Sequence, residues 1–317
     1  MAEKKKILLS GVKPTGRPHI GNYFGAMRQF VELQDKYESY IFIADLHALT
    51  TVKNAKEMEE NIVGVLLDYL AIGLDPKKTV LYKQSDVLQV AELAWIFNCI
   101  TTMPYLEHAH AYKDALAKSK EINVGIFDYP ILMAADILIQ DAELVPIGQD
   151  QKQHVEIARD TAEKFNRIFG KAFIVPEHLI LDQVKTVPGI DGQKMSKSYN
   201  NTIPLFGSEK EIRKAVMSIV TDSLGGVPKN VRAIHELFRD KKYLNDLYTK
   251  HSGKYQTLKE ALAVDIEAFI RPLREKRVAL EKDKSAALKI LKSGGQLARA
   301  RAEEKMKLVR KIIGLNF

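Results

Sequence analysis

Cysteine is nearly absent from this chain of 317 residues: there is one, Cys99. A single thiol cannot close an internal disulfide, complete a thiolate zinc site or hold an iron–sulfur cluster. It lies in the apolar run at residues 93–100 and is expected to be a buried, inert side chain. Long apolar stretches are missing too. No window of about 18 consecutive apolar residues occurs, so no membrane span is expected. The basic start, Lys4-Lys5-Lys6, precedes only Ile7-Leu8-Leu9 before Ser10-Gly11. That is too short for an exported leader, and it reads as the first strand of a cytoplasmic protein. Internal repeats and low-complexity tracts are also lacking.

Acidic residues are scarce in one region. Residues 241–317 carry 19 Lys/Arg against 9 Asp/Glu, whereas residues 1–240 carry 29 against 31. The excess behind the formal net charge of +8 therefore sits in the last quarter. A one-sided basic segment suits a polyanion, because each neutralised phosphate releases counterions. A solvated helical tail is the plain alternative.

What is present is a chain 46% hydrophobic, enough for a sizeable core and for two domains or one with a large appendage. Apolar continuity predicts strands at residues 5–12, 40–45 and 79–82. Helical spacing marks residues 22–37 and 55–71, the latter with Ile62, Val65, Leu66, Tyr69 and Leu70 on one face. This alternation implies an α/β fold, a Rossmann-like doubly wound parallel sheet over residues 1–200. Beyond residue 208 the segments 209–221, 230–250, 254–292 and 296–313 read as helices, split at Gly225-Gly226, Ser252-Gly253 and Gly294-Gly295. They form an α-helical C-terminal domain, residues 201–317, whose last helix can pack back on the first domain.

Three segments carry chemistry. The first, Gly11-Val-Lys13-Pro14-Thr15-Gly16-Arg-Pro-His19-Ile-Gly21-Asn22, joins the first strand to the first helix. Gly21 lets a ligand approach the backbone, and a helix start with unpaired N–H groups suits a triphosphate. An ordinary Gly/Pro turn is the alternative. The second is Lys194-Met195-Ser196-Lys197-Ser198, a cationic loop flexed by Gly189 and Gly192. Such a clamp acts where charge builds on a departing pyrophosphate; otherwise it is an exposed basic loop. The third, Phe127-Asp-Tyr129-Pro130-Ile-Leu-Met133-Ala-Ala-Asp136, places Tyr129, Met133 and Asp136 on one helical face, with Pro130 at the first helical position. A buried Asp needs a donor, and an indole N–H is one; a packing Asp on an ordinary helix is the alternative.

The first two segments, about 170 residues apart, resemble the paired signatures of class I aminoacyl-tRNA synthetases. His19-Ile-Gly-Asn22 matches the HIGH element except for its last letter, and residues 194–198 match KMSKS throughout. The third segment resembles the tryptophan-pocket helix of bacterial tryptophanyl-tRNA synthetases, whose carboxylate reads the indole N–H. The resemblance extends from residue 5 to about residue 222. It implies ATP contacts at Lys13, Pro14, Thr15, Gly21, Asn22, Gly148, Gln149, Asp150, Val187, Lys194, Met195, Ser196, Lys197 and Ser198. It implies a tryptophan site at Asp136, Tyr129, Met133, His47 and Gln151, and catalytic roles for Lys194, Lys197 and His19. Asp150 can equally cap a helix, and His47 can be a satisfied strand-end histidine. Gln149 stands where Glu is common, and Ala115 where relatives have a phosphate lysine.

The reaction so implied is tryptophan activation by ATP with Mg²⁺, then transfer to tRNA(Trp), with no protein nucleophile, no metal held by side chains and neither membrane nor DNA as partner. The helical part would meet the anticodon. Residues 93–118, with Trp95, Phe97, Met103, Tyr105 and Leu106 exposed, would form a homodimer interface within a dimerisation insertion at about 93–125; the plain alternative is that these residues are core. Rival readings are a tyrosyl enzyme, a non-catalytic tRNA-binding paralogue and a small nucleotidyltransferase.

Overall fold

The computed structural model describes residues 5–117, 122–148, 152–180, 187–221 and 226–315; the side chains at 110, 111, 114, 115 and 180 lie outside that description. The departure at Ala115 therefore falls outside it, as do Gln149, Asp150 and Gln151.

Five strands, β1 (Ile7–Val12), β2 (Glu38–Ile43), β3 (Thr79–Lys83), β4 (Leu144–Ile147) and β5 (Glu177–Ile180), form one sheet in the order β3-β2-β1-β4-β5. Every neighbouring pair is parallel. Three strands were legible from apolar continuity; β4 and β5 were not. β4 contains Pro146, which lacks a ladder donor and disguises the strand. β1 and β4 pair only at Leu8 and Leu144, so the two strands part beyond that point. The strand order reverses at this place, and in open α/β sheets ligands bind there, outside the carboxyl ends.

Alternate residues of the strands feed two cores. Leu8, Ile41, Ile43 and Leu81 face one, with the helices Ala55–Ile72 and Tyr255–Lys282. Ile7, Leu9, Tyr40, Phe42 and Tyr82 face the other, with Val124–Ile139 and Lys152–Phe169. The helix Ala55–Ile72 buries Val65, Leu66, Tyr69 and Leu70 as its spacing required, with Ile62 partly buried.

The expected helix break at Gly294-Gly295 does not occur. Both glycines lie inside one helix, Lys284–Ile312, and the chain breaks before it, at Asp283, whose side chain caps Ala286 N–H. The glycines serve close packing. A Cβ on Gly294 would overlap the carbonyl oxygen of Leu81 in β3, and one on Gly295 would sit 2.7 Å from Asp86 Oδ2. The helix thus covers the edge strand, whose unpaired backbone groups would otherwise invite another strand. Its basic residues are tied inward: Arg310 pairs with Glu92 and Glu303, Lys305 with Asp141, and Arg299 donates to Asp86 O. Part of the C-terminal charge excess is therefore internal. Lys241, Lys242, Lys250, Lys254, Lys289 and Lys292 stay exposed.

Cys99 is exposed, against expectation, because it caps the end of the helix Gln89–Asn98 and faces away from its apolar side. Trp95, Met103 and Tyr105 are exposed as expected, but Phe97 and Leu106 are core residues. Pro130 also differs: the helix Val124–Ile139 starts earlier, at Asn123, whose side chain accepts from Ile126 N–H. Pro130 then lies inside it.

Gly294→Ala is expected to destabilise the protein by about 3 kcal/mol, the upper end for overpacking, because a strand backbone cannot move aside. Gly64→Ala, whose Cβ meets nothing closer than Arg277 at 4.0 Å, is expected to stabilise the helix by about 0.5–1 kcal/mol. Urea midpoints of the two variants, shifted in opposite directions, check the pair.

Candidate active site

A cavity of about 360 Å³ opens where β1 and β4 part. Its walls come from Ser10 and Gly11 in β1 and Lys13 just after it, from Ala44 and His47 after β2, and from Pro146, Ile147 and Gly148 at β4. Tyr129, Met133 and Asp136 close it from the helix Val124–Ile139, so the shared face is real and turned to one space.

Asp136 is 3% exposed. His47 Nε2 lies 3.0 Å from its Oδ2, and Gln84 Nε2 donates to both oxygens at 3.0 and 2.8 Å. Burial raises the carboxyl's affinity for its proton, while the bonds from His47 and Gln84 oppose that rise. His47 rides on the short helix Asp45–Ala48, and Gln84 opens the turn Gln84–Asp86 after β3. Asp45 ties the two strand ends together: its carboxylate accepts from Leu46 N–H, Ser85 N–H and the Ser85 hydroxyl. Tyr129 hydroxyl meets His154 Nε2, its ring stands edge-on to His47, and Lys13 Nζ lies 5.2 Å from the ring centre.

The first motif opens the helix Ile20–Asn22, which continues through a π turn, Tyr23–Met27. The expected unpaired N–H groups are largely taken. Ile20 N–H donates to Ile203 O, Asn22 N–H to His19 Nδ1 and Tyr23 N–H to His19 O, while Asn22 Oδ1 accepts from His19 N–H. A Cβ on Gly21 would lie 2.8 Å from His19 Nδ1, so this glycine makes room for the cap. Burial and the nearby Lys197 lower the His19 pKa to about 4. Its ring is therefore neutral at physiological pH, and because Nδ1 accepts, the proton belongs on Nε2.

The lysine loop closes onto that same motif. Lys197 Nζ donates to Thr15 O (3.0 Å) and Gly16 O (2.9 Å), and Leu205 N–H donates to Pro18 O. Ser196 and Ser198 hydroxyls are 2.9 Å apart. Val187 and Met195, read as nucleotide contacts, are buried side chains of the core, joined by a Met195 N–H to Val187 O bond. Pro14 is buried, Lys194 is exposed, and Gly148 lines the cavity.

Three residues escaped the sequence reading. Gln84 is one, and a polar residue just after a parallel strand was the available signal. His154, the partner of Tyr129, is another. The third is Asn201, 1% exposed. Its amide donates to Asp191 Oδ1 and Lys194 O and accepts from Ser196 N–H, so it forms the inner frame of the lysine loop. Asn200, at φ 52°, turns the chain into this position. From outside, the Tyr255–Lys282 helix holds the following segment: Arg274 donates to Gly207 O, and Arg277 lies over Phe206 while pairing with buried Asp68 at 2.6 Å. Burial lifts the Asp68 pKa to about 6 although Arg277 pulls it down.

A family model described as tRNA synthetases class I (W and Y) matches residues 1–285. The tryptophan–tRNA ligase of Fusobacterium nucleatum subsp. nucleatum is 47% identical over 316 residues, 97% of each chain. That of Rhodopirellula baltica is 45% identical, over 97% of this chain and 99% of the relative. The fold is similar to the crystal structure of a tryptophanyl-tRNA synthetase from Campylobacter jejuni complexed with ADP and tryptophan. The TM-score is 0.92 at 42% identity, covering 98% of this chain and 100% of that one. A tyrosyl-tRNA synthetase from Archaeoglobus fulgidus shares the fold at a TM-score of 0.66 and 21% identity, over 87% of this chain and 91% of that one.

Asn201→Asp keeps the acceptor for Ser196 N–H but turns an oxygen toward Lys194 O and Asp191. Limited tryptic cleavage after Lys194 and Lys197 is expected to accelerate by roughly tenfold, since lost bonds of about 1 kcal/mol each raise the open population. Unchanged cleavage at both lysines would show that the loop is held by other contacts.

Proposed function

As a member of the class I tRNA synthetases for tryptophan and tyrosine, the chain is a tryptophan–tRNA ligase, and we propose that Asp136 selects the amino acid while the lysine loop drives the chemistry. The observation that carries this is the position of Asp136: a buried carboxylate on the wall of a cavity at the sheet's switch point, beside the motif that Lys197 closes upon.

The reaction runs in two steps. The tryptophan carboxylate attacks the α-phosphorus of ATP, forming tryptophanyl-AMP and releasing pyrophosphate. A hydroxyl of the terminal adenosine of tRNA(Trp) then takes the acyl group. The substrate supplies its own nucleophile, so the protein contributes orientation and charge stabilisation. Asp136 accepts the indole N–H, with Met133 and Tyr129 against the ring and His47 beside them; Gln151 serves the amino group. Lys13, Thr15, Gly21, Asn22, Gly148, Gln149 and Asp150 hold the nucleotide. His19, neutral, offers its Nε2–H to phosphate without adding charge. Lys194 and Lys197 offset the charge that gathers on pyrophosphate, and Ser196 and Ser198 add donors. Lys197 must leave Thr15 O and Gly16 O to do so.

Among the described residues, no three His, Cys, Asp or Glu side chains are grouped to hold a metal ion. Mg²⁺ would then arrive on the triphosphate, which suits an ion that binds through substrate phosphates and keeps its waters. Exposed Lys241, Lys242, Lys250 and Lys254 suit the tRNA backbone. Leu88, Trp95, Met103 and Val124, all more than 60% exposed on neighbouring helices, suit a second copy of the chain. None of the described helices is long and apolar enough to cross a membrane; the cytoplasm is the compartment where these substrates meet.

Tryptophan-dependent ATP–pyrophosphate exchange on the purified chain tests the reading, with tyrosine expected to give background. Asp136→Ala is expected to raise the tryptophan KM by about 100-fold, the worth of a hydrogen bond to a charged group, with the ATP KM little changed. A tryptophan KM equal to the parent's removes the assigned role. Lys197→Ala is expected to slow adenylate formation by about 100- to 1,000-fold in single-turnover measurements while ATP binding changes little. An unaltered single-turnover rate contradicts it.

A further inference from the structure

Gln84 is fully buried, yet it is not part of the cavity wall. A buried amide can satisfy its neighbours in only one orientation when one of them is a pure donor. The backbone N–H of His47 is such a donor, 3.2 Å from Gln84 Oε1. The other end of the amide, its NH₂, therefore faces Asp136, at 2.8 and 3.0 Å from the two carboxylate oxygens. The direction of the amide fixes the chemistry of its partner: two N–H bonds enter a group that must accept.

We propose that Gln84 is a positioning residue for tryptophan selection, holding Asp136 in one orientation as an ionised acceptor. The proposal rests on the reading of Asp136 as the group that meets the indole N–H. A buried carboxyl is prone to take up a proton, and a protonated Asp136 would set an O–H against an N–H. The amide opposes that from behind the wall, where no substrate reaches it. His47 Nε2 adds a second donor on Oδ2, which leaves Oδ1 the less occupied oxygen for the ligand. Because Asp45 binds both Ser85 and Leu46, the backbones carrying Gln84 and His47 are held together, and the two donors keep a constant spacing.

The charged and titratable groups around this amide are Asp136 on its helix, His47 and Asp45 after β2, and Tyr82 on β3. Tyr82 stays neutral, since burial and the Asp136 charge both raise its pKa. Gln84→Glu preserves the acceptor for His47 N–H and replaces the NH₂ by a carboxylate oxygen facing another carboxylate. Two such groups share a proton more readily than they both ionise.

ATP–pyrophosphate exchange with L-tryptophan, run on the full chain at about pH 8 and about pH 6, reads the outcome. For Gln84→Glu the tryptophan KM is expected to rise roughly 10- to 150-fold at the higher pH and to fall back toward the parent's at the lower, with the ATP KM steady throughout. Gln84→Met, of similar length and without either polar atom, is expected to carry a raised tryptophan KM at both pH values, and its thermal melting curve shows whether the fold is intact. A loss in Gln84→Glu that ignores pH, or that raises the ATP KM equally, overturns the proposal as a merely structural effect. Parent-like tryptophan KM in both variants, beside a raised KM in Asp136→Ala, overturns it while the Asp136 reading stands. If Asp136→Ala also keeps the parent's KM, the reading beneath it fails instead.

Discussion

One carboxylate, buried at the carboxyl end of a parallel sheet and held by donors from two other strand ends, sets the terms for the site. A carboxyl buried in that position has its polar atoms satisfied by His47 and Gln84, which bond to it. Those two side chains reach it only because β2 and β3 end at the same level and Asp45 binds their turns together. The cavity beside it exists because β4 leaves β1 after a single paired position. Sheet order, strand length and the polar triad are thus one constraint: a hole in the right place, with an acceptor on its wall.

The lysine loop is framed from both sides. Asn201 holds it from within, and the first motif receives Lys197 from across the gap. Arg274 and Arg277, from the long C-terminal helix, hold the segment that follows the loop. Arg277 is itself anchored by Asp68, a carboxylate buried on a helix of the α/β body. Named side chains thus join the long C-terminal helix both to the segment after the loop and to the α/β body. The last helix adds a different connection, lying with Gly294 against Leu81 of β3 and with Gly295 against Asp86 in the turn that follows.

Much of the fold was legible because it depends on local order. Apolar continuity found β1, β2 and β3, and a spacing of three and four residues placed Tyr129, Met133 and Asp136 on one face. The misreadings share a cause. Pro130 looked like a helix start because proline is common there, but Asn123 offered a cap seven residues earlier. Gly294-Gly295 looked like a break because glycine weakens isolated helices, but tertiary packing rewarded the absence of side chains. Phe97 and Leu106 looked like surface partners for Trp95, and only the helices behind them decide which of the three points inward. The helix start at His19 looked open for phosphate, and the histidine ring itself fills the cap.

What the sequence determined by itself was the strand–helix alternation through β3 and the short motifs at residues 11–22, 127–136 and 194–198, since periodicity and short motifs are properties of neighbouring residues. The tertiary structure alone decided who meets whom. Gln84 and Asp136 stand 52 residues apart, and Lys197 and Thr15 stand 182 apart. No local pattern encodes such pairings, because they come from the sheet's crossover connections, which bring distant strand ends and loops to one place.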